Sequence, residues 1–181
     1  MDNGASSYRR YLDGDETAFE QIVKEYREPL TLFIAGITRD YHAAEDVAID
    51  VFAELAVNRR YNFKVTLKTY LYMLGRSRAI DYIRHRARHV AVALEDAEPY
   101  LSTSISIDEA FLRDEQGREV REAIAKLPEK MRTVIYLVYF EQLSYEEAAR
   151  VMKLNKKQVD NLLYRAKAEL RSMIVERGIL R

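Results

Sequence analysis

The chain has 181 residues, 48% of them hydrophobic, enough to build one large or two small cores. Its 29 basic residues are matched by 29 acidic ones, so no overall field announces a nucleic-acid partner. The absence of cysteine excludes disulfides, thiolate catalysis and cysteine zinc sites. MDNGASSYRRYLDGDE has no signal-peptide pattern, and no apolar run nears the ~20 residues that span a bilayer, so a soluble, cytoplasmic protein without membrane insertion is expected.

Taken in chain order, Phe19, Ile22, Val23, Tyr26, Leu30, Phe33, Ile34 and Ile37 recur at helical spacing. Pro29 falls inside that pattern and predicts a kink or two abutting helices. Ala44, Val47, Val51 and Leu55 mark a second helix ending near Asn58, whose Asp46, Asp50 and Glu54 stack like charges four apart. That stripe reads as a solvent-facing surface or a docking face. A carboxylate metal site is disfavoured, because no histidine joins it at ligand spacing.

Asn58 to Val65 reads as a loop, after which Thr66 is placed to cap a long helix through about Arg86. Between Arg59 and Arg88 nine basic residues face only Asp81. In the helix itself Arg76, Arg78, Arg84 and Arg86 alternate with Tyr70, Tyr72 and Tyr82, the design expected where cations track phosphates and rings stack on unpaired bases. Some of these rings must be core, with Tyr70 and Leu74 the best placed. His85 and His89 have the spacing of a metal pair, but Arg84, Arg86 and Arg88 would repel a cation, so neither metal nor cofactor is expected.

VALEDAEPYLSTSISID, Val92 to Asp108, carries a proline, small polar residues and acids without helical period, and reads as a flexible acidic linker. Helical spacing resumes with Phe111, Leu112, Val120, Ile124 and Leu127. Pro128 is placed as the first residue of a further helix running to about Gln142. In SYEEAARVMKLNKKQVDNLLYRAK, Ser144 and Glu147 form a capping box, Asn155 caps a second helix, and about three residues separate the two. Ala148, Ala149 and Met152 face inward from the first helix, as do Val159, Leu162, Leu163 and Ala166 from the second.

This is a helix-turn-helix pattern, in which the second helix enters the DNA major groove. Lys156 and Lys157 sit at its N-terminus, where phosphate would relieve their clash with the helix dipole. Gln158, Asn161 and Arg165 follow on one face, suited to adenine and guanine edges. Lys153, in the turn, requires a left-handed backbone at a cost of roughly 1 kcal/mol. A solvated outer face of an ordinary helical bundle would look similar.

Three motifs in this order carry a resemblance: AEDVAIDVF (Ala44–Phe52), TYLYMLGRSRAIDYIRHRAR (Thr69–Arg88) and LPEKMRTVIYLVYFEQLSYEEAARVM (Leu127–Met152). Together they resemble RNA polymerase sigma factors of the extracytoplasmic-function group. The resemblance implies an all-α fold of two helical domains joined by a flexible linker: residues 1–91, like sigma region 2; an acidic linker, 92–110; and residues 111–181, a region-4-like helix-turn-helix. It implies promoter-directed transcription initiation by binding, not catalysis. Its partners would be core RNA polymerase, promoter DNA and an anti-sigma factor. Asp46, Ile49 and Asp50 would meet the clamp of the largest polymerase subunit. Tyr61, Asn62, Phe63, Ser77, Arg78 and Arg84 would meet and help melt the minus-ten element. Lys156, Lys157, Gln158, Asn161 and Arg165 would read the minus-thirty-five element. The runner-up is another helix-turn-helix regulator, whose usual receiver module of alternating strands and helices is missing from Met1–Arg88. A hydrolase built on Asp46, Asp50 and His42 lacks a second convergent acid or base.

Overall fold

A computed structural model describes residues 4–93 and 115–176, all of whose regular elements are helical. The chain divides into two compact units, residues 1–104 and 105–181. That division falls inside the stretch expected to be a linker, most of which lies outside the described residues.

The first unit holds α1 (Ala5–Leu12), α2 (Glu16–Thr38), α3 (Tyr41–Asn58) and α4 (Leu67–Ala93). Aspartates open α2 and α3: Asp15 accepts from the Ala18 N–H, and Asp40 from the Ala43 N–H. Arg39 and Arg59 close the same two helices in the left-handed conformation. Thr66 caps α4 as expected, its Oγ1 accepting from the Thr69 N–H at 3.1 Å. The helix then runs on to Ala93, because His89 to Ala93 offers no breaker.

Pro29 does not divide α2. One helix carries Ile22, Tyr26, Leu30, Phe33, Ile34 and Ile37 into a continuous core, and burying that stripe on both sides of the proline outweighs its cost of about 3 kcal/mol. Helix α2 packs on α1, α3 and α4. The close passage of α4 needs Gly75, where an added Cβ would sit 3.0 Å from Leu30 Cδ1 and 3.3 Å from Ile34 Cδ1. Tyr8 ties α1 to the end of α3 by donating to the Leu55 carbonyl at 3.1 Å.

The second unit holds α5 (Glu115–Lys126), α6 (Glu129–Ile135), a π-helical turn at Tyr136–Phe140, α7 (Tyr145–Met152) and α8 (Lys156–Glu176). Pro128 stands one position earlier than expected, as the N-cap of α6 with ψ 143°. The helix expected to reach Gln142 instead widens after Ile135 into the π turn, and Gln142 turns left-handed at φ 55° to start the path into α7. Helix α8 packs against α5, α6 and α7. Val134, Leu137, Val151, Val159, Leu163 and Ala166 form the buried centre. The buried Arg132 donates Nη1 to the Ala125 and Leu127 carbonyls, satisfying acceptors left over where α5 ends.

Candidate nucleic-acid and protein interfaces

Residues Ser144–Arg165 fold as read. Ser144 and Glu147 make the reciprocal capping box at the start of α7. Lys153 adopts φ 56°, ψ 43°, the left-handed turn the motif requires, and the chain re-enters a helix three residues later. Asn155 caps α8 reciprocally: its Oδ1 accepts from the Gln158 N–H at 2.8 Å, while Gln158 Oε1 accepts from the Asn155 N–H at 2.9 Å.

Lys156, Lys157, Gln158, Asn161 and Arg165 are all exposed, whereas Val159, Leu163 and Ala166 are buried. The outer row is not uniform. Lys156 Nζ lies 2.5 Å from Glu146 Oε1, and this hydrogen bond raises the lysine above its ordinary pKa and lowers the glutamate. Asn161 and Arg165 have no such partner among the described residues.

On α3, Asp46, Ile49 and Asp50 all point outward, and Ile49 is 56% exposed. Ala53 and Val57 continue the row at four-residue steps, Val57 being 78% exposed, so acids and exposed apolar groups share one face. Val57 was assigned no role from sequence; its step of eight from Ile49 was the available signal. Glu54 departs from its stripe. Its side chain is only 12% exposed and accepts from Arg78 Nε at 3.0 Å and from Nη2, which holds the guanidinium above its ordinary pKa.

Tyr61 is not available to stack on a base. It is buried against Tyr8, Phe63 and Tyr70, and its hydroxyl donates to the Val65 carbonyl at 2.7 Å. Burial raises its pKa. Of the same loop, Asn62 is exposed, its Oδ1 accepting from the Lys64 N–H at 3.2 Å. Phe63 is half-buried at φ 61°, a strained position for a bulky ring, with the Arg9 guanidinium 4.9 Å above it.

On α4, Ser77 is half-buried and Arg78 exposed. Arg84 is exposed, 3.9 Å from Asp81. Arg86 reaches Asp40 at 3.5 Å. The tyrosine register differs from expectation: Tyr72 and Leu71 are fully buried, while Tyr70 and Leu74 are half-buried. The cause is that α4 buries two neighbouring rows against α2 and α3, with Tyr72 beside Phe33 at 4.9 Å. His85 and His89 place their Nε2 atoms 3.0 Å apart, and no third ligand-type side chain joins them among the described residues.

In comparison with known proteins, each of the two units matches a separate family model. Residues 22–89 match the model for sigma-70 region 2, and residues 117–170 match that for sigma-70 region 4. The chain is 33% identical to the RNA polymerase sigma-H factor of Pseudomonas aeruginosa over 168 residues, covering 87% of this chain and 86% of that protein. It is 26% identical to the ECF RNA polymerase sigma factor SigW of Bacillus subtilis, covering 89% and 91%. Among solved structures it resembles the sigma factor RpoE of Bartonella quintana in complex with the anti-sigma factor NepR, at TM-score 0.65 and 20% identity over 86% of this chain and 96% of that one.

Proposed function

We propose, from the premise that this chain belongs to the extracytoplasmic-function sigma factors of the sigma-70 family, a division of labour between its two units. The chain directs promoter-specific transcription initiation with core RNA polymerase. It does so by binding rather than by catalysis, and it works in the cytoplasm, where polymerase and promoter meet. The α7–α8 unit reads the minus-thirty-five element, with Gln158, Asn161 and Arg165 on base edges and Lys156 and Lys157 on phosphates. The α1–α4 unit holds polymerase through Asp46, Ile49 and Asp50. It meets the minus-ten element through Asn62, Phe63, Ser77, Arg78 and Arg84, with Tyr61 serving as the buried support beneath that loop.

The observation that carries the first part is the outward row of α8 set on a capped helix-turn-helix. For the polymerase contact it is the union of acids and exposed apolar side chains on α3, the composition of a docking face rather than of a solvated one. A structural relative was solved with an anti-sigma factor, and we extend such a partner to this chain. The match of residues 22–89 to region 2 removes the ground for a different helix-turn-helix regulator.

Asp50→Lys tests the polymerase face. Asp50 is exposed, so helical content should not change, while affinity for core polymerase should fall by roughly 2 kcal/mol as a charge on the face is reversed. Undiminished assembly of the variant in a quantitative pull-down would refute the assignment of α3.

A further inference from the structure

The reciprocal cap on α8 decides which half of the Gln158 amide can face DNA. The Asn155 backbone nitrogen is a donor, so the Gln158 atom 2.9 Å from it must be the carbonyl oxygen. Its own N–H is bound at 2.8 Å by Asn155 Oδ1, so backbone and side chain are locked together at the first turn. An amide is planar, with oxygen and nitrogen diverging from one carbon. Turning the oxygen back to the backbone therefore turns the NH2 group away from it, on a side chain that is exposed.

We infer that the cap presents Gln158 to DNA through its NH2 group, so that it reads its base as a donor and prefers guanine, whose N7 and O6 both accept, or thymine, through O4, to adenine, which sets an N6 donor beside its N7. The familiar pairing of glutamine with adenine needs the oxygen turned to accept from N6 while the nitrogen donates to N7, in competition with its bond to the Asn155 N–H. Cytosine, which presents an N4 donor, is disfavoured on the same ground. Asn161 is free of such a lock and retains both halves of its amide for adenine. Two amides on one helix face, alike in sequence, thus differ in what they can read. The inference rests on the proposed docking of α8 and adds to it a restriction on base identity.

Gln158→Glu separates the two. A glutamate at this position keeps the carboxyl oxygen that completes the cap, so the fold should hold, as a melting curve would verify. It replaces the outward NH2 by an acceptor. Holoenzymes assembled with full-length wild type, Gln158→Glu, Asn161→Ala and Arg165→Ala would each be used to select bound sequences from DNA randomised over the upstream element. The added charge should weaken binding to every sequence, so preference is read relative to the other positions. The expected result is guanine or thymine at one position with wild type, shifted about tenfold or more toward cytosine by Gln158→Glu. Wild-type selection of adenine at the position that Gln158→Glu alters overturns the inference. So does a Gln158→Glu profile identical to wild type while Asn161→Ala or Arg165→Ala changes its own position, and that result leaves the reading of α8 standing. If none of the three variants changes any position, the reading of α8 fails and the inference with it.

Discussion

Lys153 shows how a single residue can serve the motif at a cost to the fold. At φ 56° it occupies the left-handed region that a Cβ disfavours, and its side chain is exposed and unpaired among the described residues. Lys153→Gly should therefore stabilise the second unit by about 0.5 kcal/mol, the strain relieved less the entropy glycine regains in the unfolded chain. Thermal unfolding would measure it, and an unchanged or lower melting temperature would show that the turn stores no strain. This position was legible because the spacing of the two helices demands the turn whatever residue fills it. The role of Gln158 was partly legible: Asn155 is readable as the cap of α8, but a reading of Gln158 as a base contact alone omits its return bond to the Asn155 N–H. Tyr61 was not legible, since a ring in a loop between helices gives no periodic signal of burial. Tyr8 of α1 and Tyr70 of α4, 5.4 and 5.3 Å from it, decide that this ring points inward.

At the scale of elements, helical spacing located nearly every helix, because each buries a stripe against neighbours of the same unit. It failed where the local geometry departs from 3.6 residues per turn, at the π turn of Tyr136–Phe140, and where two adjacent rows of α4 are buried at once. It also could not pair charges across helices. Glu54 on α3 and Arg78 on α4 lie 24 residues apart in sequence, and their contact follows from the packing of α3 directly against α4. This pair links the face proposed for polymerase to the helix proposed for DNA. Glu54→Gln keeps the shape and one acceptor but removes the neutralising charge. Stability should fall by roughly 1 kcal/mol, while binding to DNA of any sequence should strengthen and its salt slope steepen by about one. Titrations of the holoenzyme at several salt concentrations would give that slope; a slope equal to wild type would mean that Arg78 does not reach phosphate.

For the molecule as a whole, each unit has its own buried centre: Ile22, Leu30, Ile34, Val51, Leu55 and Leu71 in the first, Val134, Leu137, Val151, Val159 and Leu163 in the second. Residues 1–104 and 105–181 produced separately should each be helical and unfold cooperatively by circular dichroism. A fragment without a cooperative transition would show that its core depends on the other unit. The division between residues 104 and 105 falls inside a run of acids, a proline and small polar residues between two periodic regions of the sequence. What composition concealed is where the balanced charge resides. Glu54 holds Arg78, Asp40 meets Arg86, and Glu146 holds Lys156, so cations on both surfaces proposed for DNA are already answered from within the chain. Neutralised cations displace few counterions from a duplex. The chain should therefore be a poor competitor for the vast excess of genomic sequence that is not promoter, leaving its occupancy to be set by polymerase and by the bases it reads.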